Sequence, residues 1–346
     1  MSRRSTGFCR LPITLVALAV VLVCGWPVDA ALTETSRLAA VYDTILAARF
    51  DRVDAQLKQT CPPAPAEACA TLSAVSLWWQ ILLEPESRQL DARLTQQAAA
   101  AVNASAAWTK REPQRAEAWF YFAAAYGPLV QWRVLRGERV AAARDGKKIK
   151  DALERSLELD PGLDDAHFGI GVYHYYAAVA PTAAKILRWL LFLPGGDRVL
   201  GLQEMLQARQ RGVLLRGEAD YQLHLIYLWY EQKPARALEI LEDLDARYPT
   251  NPLFQQRIAE VHDEYFHDRR ASAAAWQTVI DRARAGRVYN PPRAESRADI
   301  GYARMLERAG DRAGAIERYR NAAQVTGSDA RTRDEARAAL KRLGAS

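Results

Sequence analysis

The sequence is poor in the residues that build chemical sites, with four cysteines, five histidines and three methionines among 346 residues. No two histidines have the His-x-x-x-His spacing of a helical zinc site, and His262 and His267, five residues apart, fall on different helix faces. Neither a Gly-x-Ser-x-Gly nucleophile turn nor a Gly-Lys-Ser/Thr phosphate loop occurs. We therefore expect a protein without enzymatic activity, metal or cofactor.

Signals for β-strands are also missing, because no run alternates apolar and polar residues and no Asn-Gly hairpin turn is present. Apolar residues recur instead at helical spacing, which predicts two helices over residues 33–58 and a third over residues 66–83. Ser87 is predicted to cap a further helix that ends near Lys110. The chain should be almost entirely α-helical.

A pattern of small residues, an aromatic residue and a helix-ending proline recurs about every 34 residues in the second half of the chain. In its clearest copy, Gly310 and Asp311 make a turn, and Ala315, Tyr319 and Ala322 follow. Small residues let paired helices approach closely, and the aromatic residue fills the space beside them. This copy resembles the tetratricopeptide repeat. The resemblance implies an all-α solenoid of stacked helix-turn-helix units.

The N-terminus has the features of an export signal. Arginines precede an apolar stretch at residues 11–23, and small residues at positions 28–30 suit a signal peptidase. We predict a signal peptide over residues 1–30 and one solenoid domain over residues 31–346, in the bacterial periplasm. An uncleaved signal that anchors the protein in the membrane is the alternative.

The predicted cleavage leaves two cysteines, Cys61 and Cys69, on either side of a proline-rich turn. In an oxidising compartment they should form a disulfide that staples the loop between the first two helices. Two unpaired buried thiols are the alternative.

Basic residues are concentrated at the C-terminus, with 17 Arg and Lys against 9 Asp and Glu over residues 269–346. This distribution fits a solvated, arginine-rich surface, or a surface that binds an anionic partner. Because we expect export, nucleic acid is not an expected partner.

Residues 172–202 depart from the repeat and form an atypical insertion. The segment resembles a eukaryotic tetratricopeptide family linked to the mitochondrial outer membrane, lipid droplets and inclusion clearance. The resemblance implies a similar fold and not the same cellular role. The residues that match the family are Pro181, Lys185, Leu187, Gly196, Asp197, Arg198, Gly201 and Leu202.

Within this segment, Gly195 and Gly196 are expected to make a turn after one helix, and Asp197 to cap the next. Arg198 would then brace the turn by pairing with a carboxylate. Residues 182–193 predict an apolar helix too short to cross a bilayer, either buried or facing a partner or a membrane surface.

The preferred functional hypothesis is an exported, non-enzymatic scaffold whose concave groove binds a protein or peptide partner. A periplasmic carrier for an apolar small molecule or lipid is the second hypothesis, favoured if these helices enclose a pocket. Aromatic side chains on first helices also pack into cores, which is the alternative for each of them. The predicted groove residues are Tyr173, His174, Tyr176, Tyr221, His224, Tyr227 and Tyr230.

Overall fold

The computed structural model describes residues 32–180 and 195–345, which contain fifteen α-helices and no strand. The helices are α1 (Thr35–Leu46), α2 (Phe50–Thr60), α3 (Ala66–Leu83), α4 (Asp91–Arg111), α5 (Ala116–Leu135), α6 (Arg139–Leu159), α7 (Ala166–Val179), α8 (Arg198–Arg211), α9 (Arg216–Trp229), α10 (Pro234–Arg247), α11 (Pro252–Glu264), α12 (Arg269–Arg284), α13 (Pro291–Arg308), α14 (Arg312–Gln324) and α15 (Ala330–Arg342).

Each helix packs chiefly against its neighbours in sequence, and short loops join most of them, so consecutive helices form antiparallel hairpins. Helix ends follow local rules. Proline occupies the first position of α10, α11 and α13, and the side chains of Asp268, Asp311 and Asp329 accept hydrogen bonds from the first turns of α12, α14 and α15. Stacked in this way, the hairpins make an α-solenoid.

Several helix boundaries agree with those predicted from the sequence, and one does not. Helix α3 covers residues 66–83, and α5 and α6, with 20 and 21 residues, are longer than a standard repeat helix. The prediction that Ser87 caps α4 is wrong. The helix begins at Asp91, and the Ser87 hydroxyl only approaches the backbone N–H of Gln89. Residues 84–90 make an irregular turn instead of a helical one.

The first helices of the chain fold back against units about 200 positions later. The Asn251 amide donates a hydrogen bond to the Leu46 carbonyl at 2.8 Å, and the Tyr248 hydroxyl donates to Asp43 at 2.6 Å. Trp79, at the buried end of α3, packs edge-on against Tyr221 with a centroid separation of 5.0 Å. Helices α1 and α3 therefore pack against α9 and the start of α11.

Helix α3 is apolar on most of its surface and is the only helix of the described ranges that has the length and composition to cross a membrane. Most of it is buried by the rest of the chain, from Ala68 to Ile81. A helix that is apolar on all sides is the type expected in the centre of a large protein.

The disulfide lies one helix later than expected. Cys61 and Cys69 are bonded, and the bond joins the end of α2 to the first turns of α3 instead of the loop between the first two helices.

The predicted signal peptide, the apolar helix over residues 182–193, and the family-like residues Pro181, Lys185 and Leu187 lie outside the described residues.

Candidate functional site

The turn before α8 packs closely onto α7. The Asp197 side chain accepts hydrogen bonds from the N–H groups of Val199 and Leu200 at 2.9 and 3.0 Å, which caps α8. A Cβ atom on Gly196 would lie 2.1 Å from the carbonyl oxygen of His174, so only glycine fits there. Gly195 meets no such contact. The turn thus fixes where α8 begins relative to the aromatic residues of α7.

Backbone contact continues along the two helices. A Cβ on Gly201 would lie 2.5 Å from the Tyr175 nitrogen and 2.6 Å from the Gly171 oxygen, so α7 and α8 meet without side chains between them. The His174 Nδ1 atom lies 2.8 Å from a carboxylate oxygen of Glu204 on α8. His174 therefore joins two helices of the same hairpin.

A cluster of aromatic rings connects α7 to the end of α9. The ring of Tyr230 packs edge-on against Tyr175 and Tyr176, with centroid separations of 5.9 and 5.6 Å. The Tyr176 hydroxyl accepts a hydrogen bond from the Gln222 amide at 2.6 Å. Two of the predicted groove residues, Tyr176 and Tyr230, are therefore in contact.

Tyr175, which sequence reasoning left out of the groove, is fully buried and anchors this cluster. Its hydroxyl donates a 2.5 Å hydrogen bond to Glu231, and the Arg198 guanidinium lies 2.8 Å from the same carboxylate oxygen. Burial and the neighbouring carboxylate raise the pKa of the Tyr175 phenol, so it stays neutral. The Arg198 hydrogen bond is the main cause that lowers the pKa of Glu231. By bonding to Glu231, Arg198 ties the turn before α8 to the end of α9.

Three predicted groove residues are buried, and this corrects their assignment to a partner-binding surface. Tyr221, His224 and Tyr227 lie inside the core, where Tyr221 contacts Trp79 and its ring lies 4.9 Å from that of His224. Burial, with the nearby Arg257 charge, lowers the pKa of His224 to about 3, so its ring is uncharged. At Tyr221, Trp79 of α3 covers the side of α9 that was expected to face a partner.

Tyr173 is half-buried on α7, beside the ring of His174 at a centroid separation of 6.2 Å, and close to Gly146 of α6. It is not part of the ring cluster around Tyr230. The seven predicted groove residues are thus divided between a buried core, a helix pair and one exposed turn.

Four large aromatic residues form what we call the aromatic edge: Trp229, Tyr230, Tyr265 and Phe266. They lie in two adjacent pairs at the ends of α9 and α11, the first helices of two consecutive hairpins, and Tyr230 and Tyr265 are the C-terminal caps. Trp229 is 59% exposed and Phe266 is 41% exposed. Adjacent exposed aromatic residues are characteristic of interaction sites. Sequence reasoning named only Tyr230 of the four, although Trp229 and Tyr230 are adjacent.

The basic C-terminal region is extensively ion-paired. Arg342 pairs with Glu307 at 2.8 Å, Arg293 with Asp329 at 2.7 Å, and Arg282 with Asp245 at 2.6 Å. Each pair skips one helix: two of them join α13 to α15, and the third joins α10 to α12. They favour the interpretation that many of these arginines hold the solenoid together instead of binding an anionic partner.

Within residues 32–180 and 195–345, no group of three or more His, Cys, Asp or Glu side chains is placed to hold a metal ion.

Comparison with known proteins gives structural likenesses only. No family model and no curated protein matches the sequence. YrrB, a TPR protein with an unusual peptide-binding site, is 13% identical over 68% of this chain and 99% of its own, with a TM-score of 0.42. The Cut9–Hcn1 hetero-tetramer of the APC/C is 12% identical over 88% of this chain and 49% of that one, with a TM-score of 0.47. Yeast Tom70 is 11% identical over 79% and 64%, with a TM-score of 0.34. Identities and TM-scores this low carry no functional information.

Proposed function

We propose that this protein is an exported, non-enzymatic scaffold that binds a protein or peptide partner along the aromatic edge. The observation that carries the proposal is the exposure of Trp229, Tyr230, Tyr265 and Phe266 at the ends of the first helices of two consecutive hairpins. Tryptophan and tyrosine residues dominate the binding energy of many protein interfaces because they bury a large area at a small cost in side-chain entropy.

Part of the surface predicted to face a partner is buried instead, because Tyr221, His224 and Tyr227 lie in the core. We therefore place the partner surface at the exposed ends of the hairpins. Arg198, Glu231 and the buried Tyr175 hold the end of α9 in place, which presents Tyr230 on a rigid base.

Export is the second part of the proposal. It is supported by the signal-like residues 1–30 and by the Cys61–Cys69 disulfide, since disulfides persist mainly in oxidising compartments. The periplasm is the compartment that both features suit.

The experiment purifies the protein from its native host through a C-terminal tag and identifies bound proteins by mass spectrometry. The test variant is Trp229→Ala with Phe266→Ala. The control is Val213→Ala, because Val213 is 55% exposed and lies beyond the opposite end of α9, about 20 Å from Trp229.

A stoichiometric partner that is retained by wild type and Val213→Ala and lost from the double variant is the expected result. The alternative result is a partner that binds the double variant and is lost when Tyr173, His174 and Tyr176 are replaced by alanine. That result would contradict binding at the aromatic edge and support the groove predicted from the sequence. The absence of any stoichiometric protein would contradict the scaffold itself.

A further inference from the structure

A second feature, separate from the aromatic edge, is a cavity of about 150 Å³ inside the N-terminal half of the solenoid. Its walls come from α1, α3, α5, α6, α7 and the start of α9, and they are mostly apolar. Six side chains that shape the apolar wall are Leu72, Val75, Phe120, Ile149, Leu153 and Phe168. An apolar cavity of about this volume stays dry and accommodates a molecule such as benzene.

Two donors in this wall are buried without a partner. The Tyr121 hydroxyl and the Trp78 indole N–H have no hydrogen-bond partner among the described residues, although both side chains are more than nine-tenths buried. Native proteins satisfy almost all buried polar groups, because an unmade hydrogen bond in an apolar interior is costly. Neither donor atom is accessible to water, so neither borders the open space of the cavity, and the cavity surface is left mostly apolar.

The ionisable groups of the wall are acidic and already bonded. Glu218 accepts hydrogen bonds from the Tyr42 hydroxyl at 2.8 Å and the Trp79 indole at 3.2 Å, and Asp165 accepts three from backbone N–H groups of residues 213–215. Burial raises the pKa of both carboxyls. Among the described residues, no lysine or arginine lines this wall. The cavity therefore disfavours binding of an anion. Its carboxyl oxygens already accept hydrogen bonds from donors within the protein.

The cavity opens beside Gly127 of α5. A Cβ atom built on Gly127 would meet nothing within 4 Å, whereas one on Gly169, in the facing helix α7, would lie 2.5 Å from Leu153. Gly127, Gln131 and Val172 are half-buried, so the rim lies between α5 and α7. A larger side chain at position 127 has room to enter the cavity without displacing neighbours.

We propose that this cavity binds a small, uncharged, apolar molecule about the size of one substituted aromatic ring. The apolar wall buries the ligand. This site does not depend on the proposed partner surface, since the aromatic edge and the cavity share no residue.

The test measures dissociation constants of residues 31–346 for three probes of similar shape: acetophenone, which carries an acceptor, ethylbenzene, which lacks one, and benzoate, which is charged. Gly127→Leu is the filling variant. Val134→Leu on the same helix is its control, because Val134 is 59% exposed and lies outside the cavity. Circular dichroism and thermal melting check that each variant is folded.

Acetophenone and ethylbenzene should bind wild type and Val134→Leu, and binding of both should be lost in Gly127→Leu. Binding that survives Gly127→Leu, benzoate binding equal to that of acetophenone, or no binding by any probe would overturn the proposal.

Discussion

Replacement of Trp79 by alanine tests whether α3 is the centre of the fold. Trp79 is fully buried, packs against Tyr221 and Phe254 at centroid separations of 5.0 and 6.2 Å, and donates a hydrogen bond to Glu218. Truncation of a buried tryptophan to alanine costs about 3–5 kcal/mol. Because Glu218 also loses a donor in an apolar interior, we expect a value near the upper end, about 5 kcal/mol.

The measurement is urea denaturation of residues 31–346 followed by circular dichroism. Trp229→Ala is the matched control, because it removes the same side chain from a position that is 59% exposed, and surface changes usually alter the free energy of unfolding by about 0.5 kcal/mol or less. Trp79→Phe should fall between the two, since it keeps a ring and loses the hydrogen bond. A loss below about 1 kcal/mol for Trp79→Ala, or an equal loss for both alanine variants, would refute a central role of α3.

Three further predictions concern other parts of the molecule. Removal of the disulfide with Cys61→Ala and Cys69→Ala should lower the free energy of unfolding by about 2–3 kcal/mol, because the closed loop is short, with a sequence separation of 8; no change in the urea midpoint would contradict this. Gly201→Ala should destabilise the protein by about 1–3 kcal/mol, because the new methyl group clashes with Tyr175 and Gly171. Gly127→Ala meets open space and should stabilise the protein by about 0.5–1 kcal/mol. Thermal melts that rank the two variants in the opposite order would be inconsistent with the packing. Burial raises the pKa of Asp299 to about 6 from a usual 3.8, so its contribution to stability is complete below pH 3.8 and is lost as pH rises through 6; urea midpoints measured from pH 4 to 7 should show this loss in wild type and not in Asp299→Asn, and parallel curves would disprove it.

The helices and their repeat could be predicted from local sequence. Residues 66–83 were assigned as a helix from their apolar spacing, and the structure has the same bounds. The cap on α4 could not be assigned as well, because Ser87 has the right side chain for a cap but the chain turns irregularly before Asp91. Capping depends on backbone geometry that a residue type suggests and does not determine.

The candidate site was less predictable, because its geometry depends on contacts between distant parts of the chain. Asn251 and Leu46 are 205 positions apart, and no local pattern encodes that contact. The available signal was the composition of α3, since a helix apolar on all sides must be covered. This composition indicates that other parts of the chain cover α3, and Tyr221 of α9 is one of the residues that do so.

The most direct measurement of the central claim is site-specific photocross-linking in the native host. A benzophenone amino acid is placed at position 229 or 266 on the aromatic edge, and, for comparison, at position 173 of the originally predicted groove. The account predicts adducts with the same partner protein from positions 229 and 266 and none from position 173. Adducts from position 173 alone, or from no position, would contradict it.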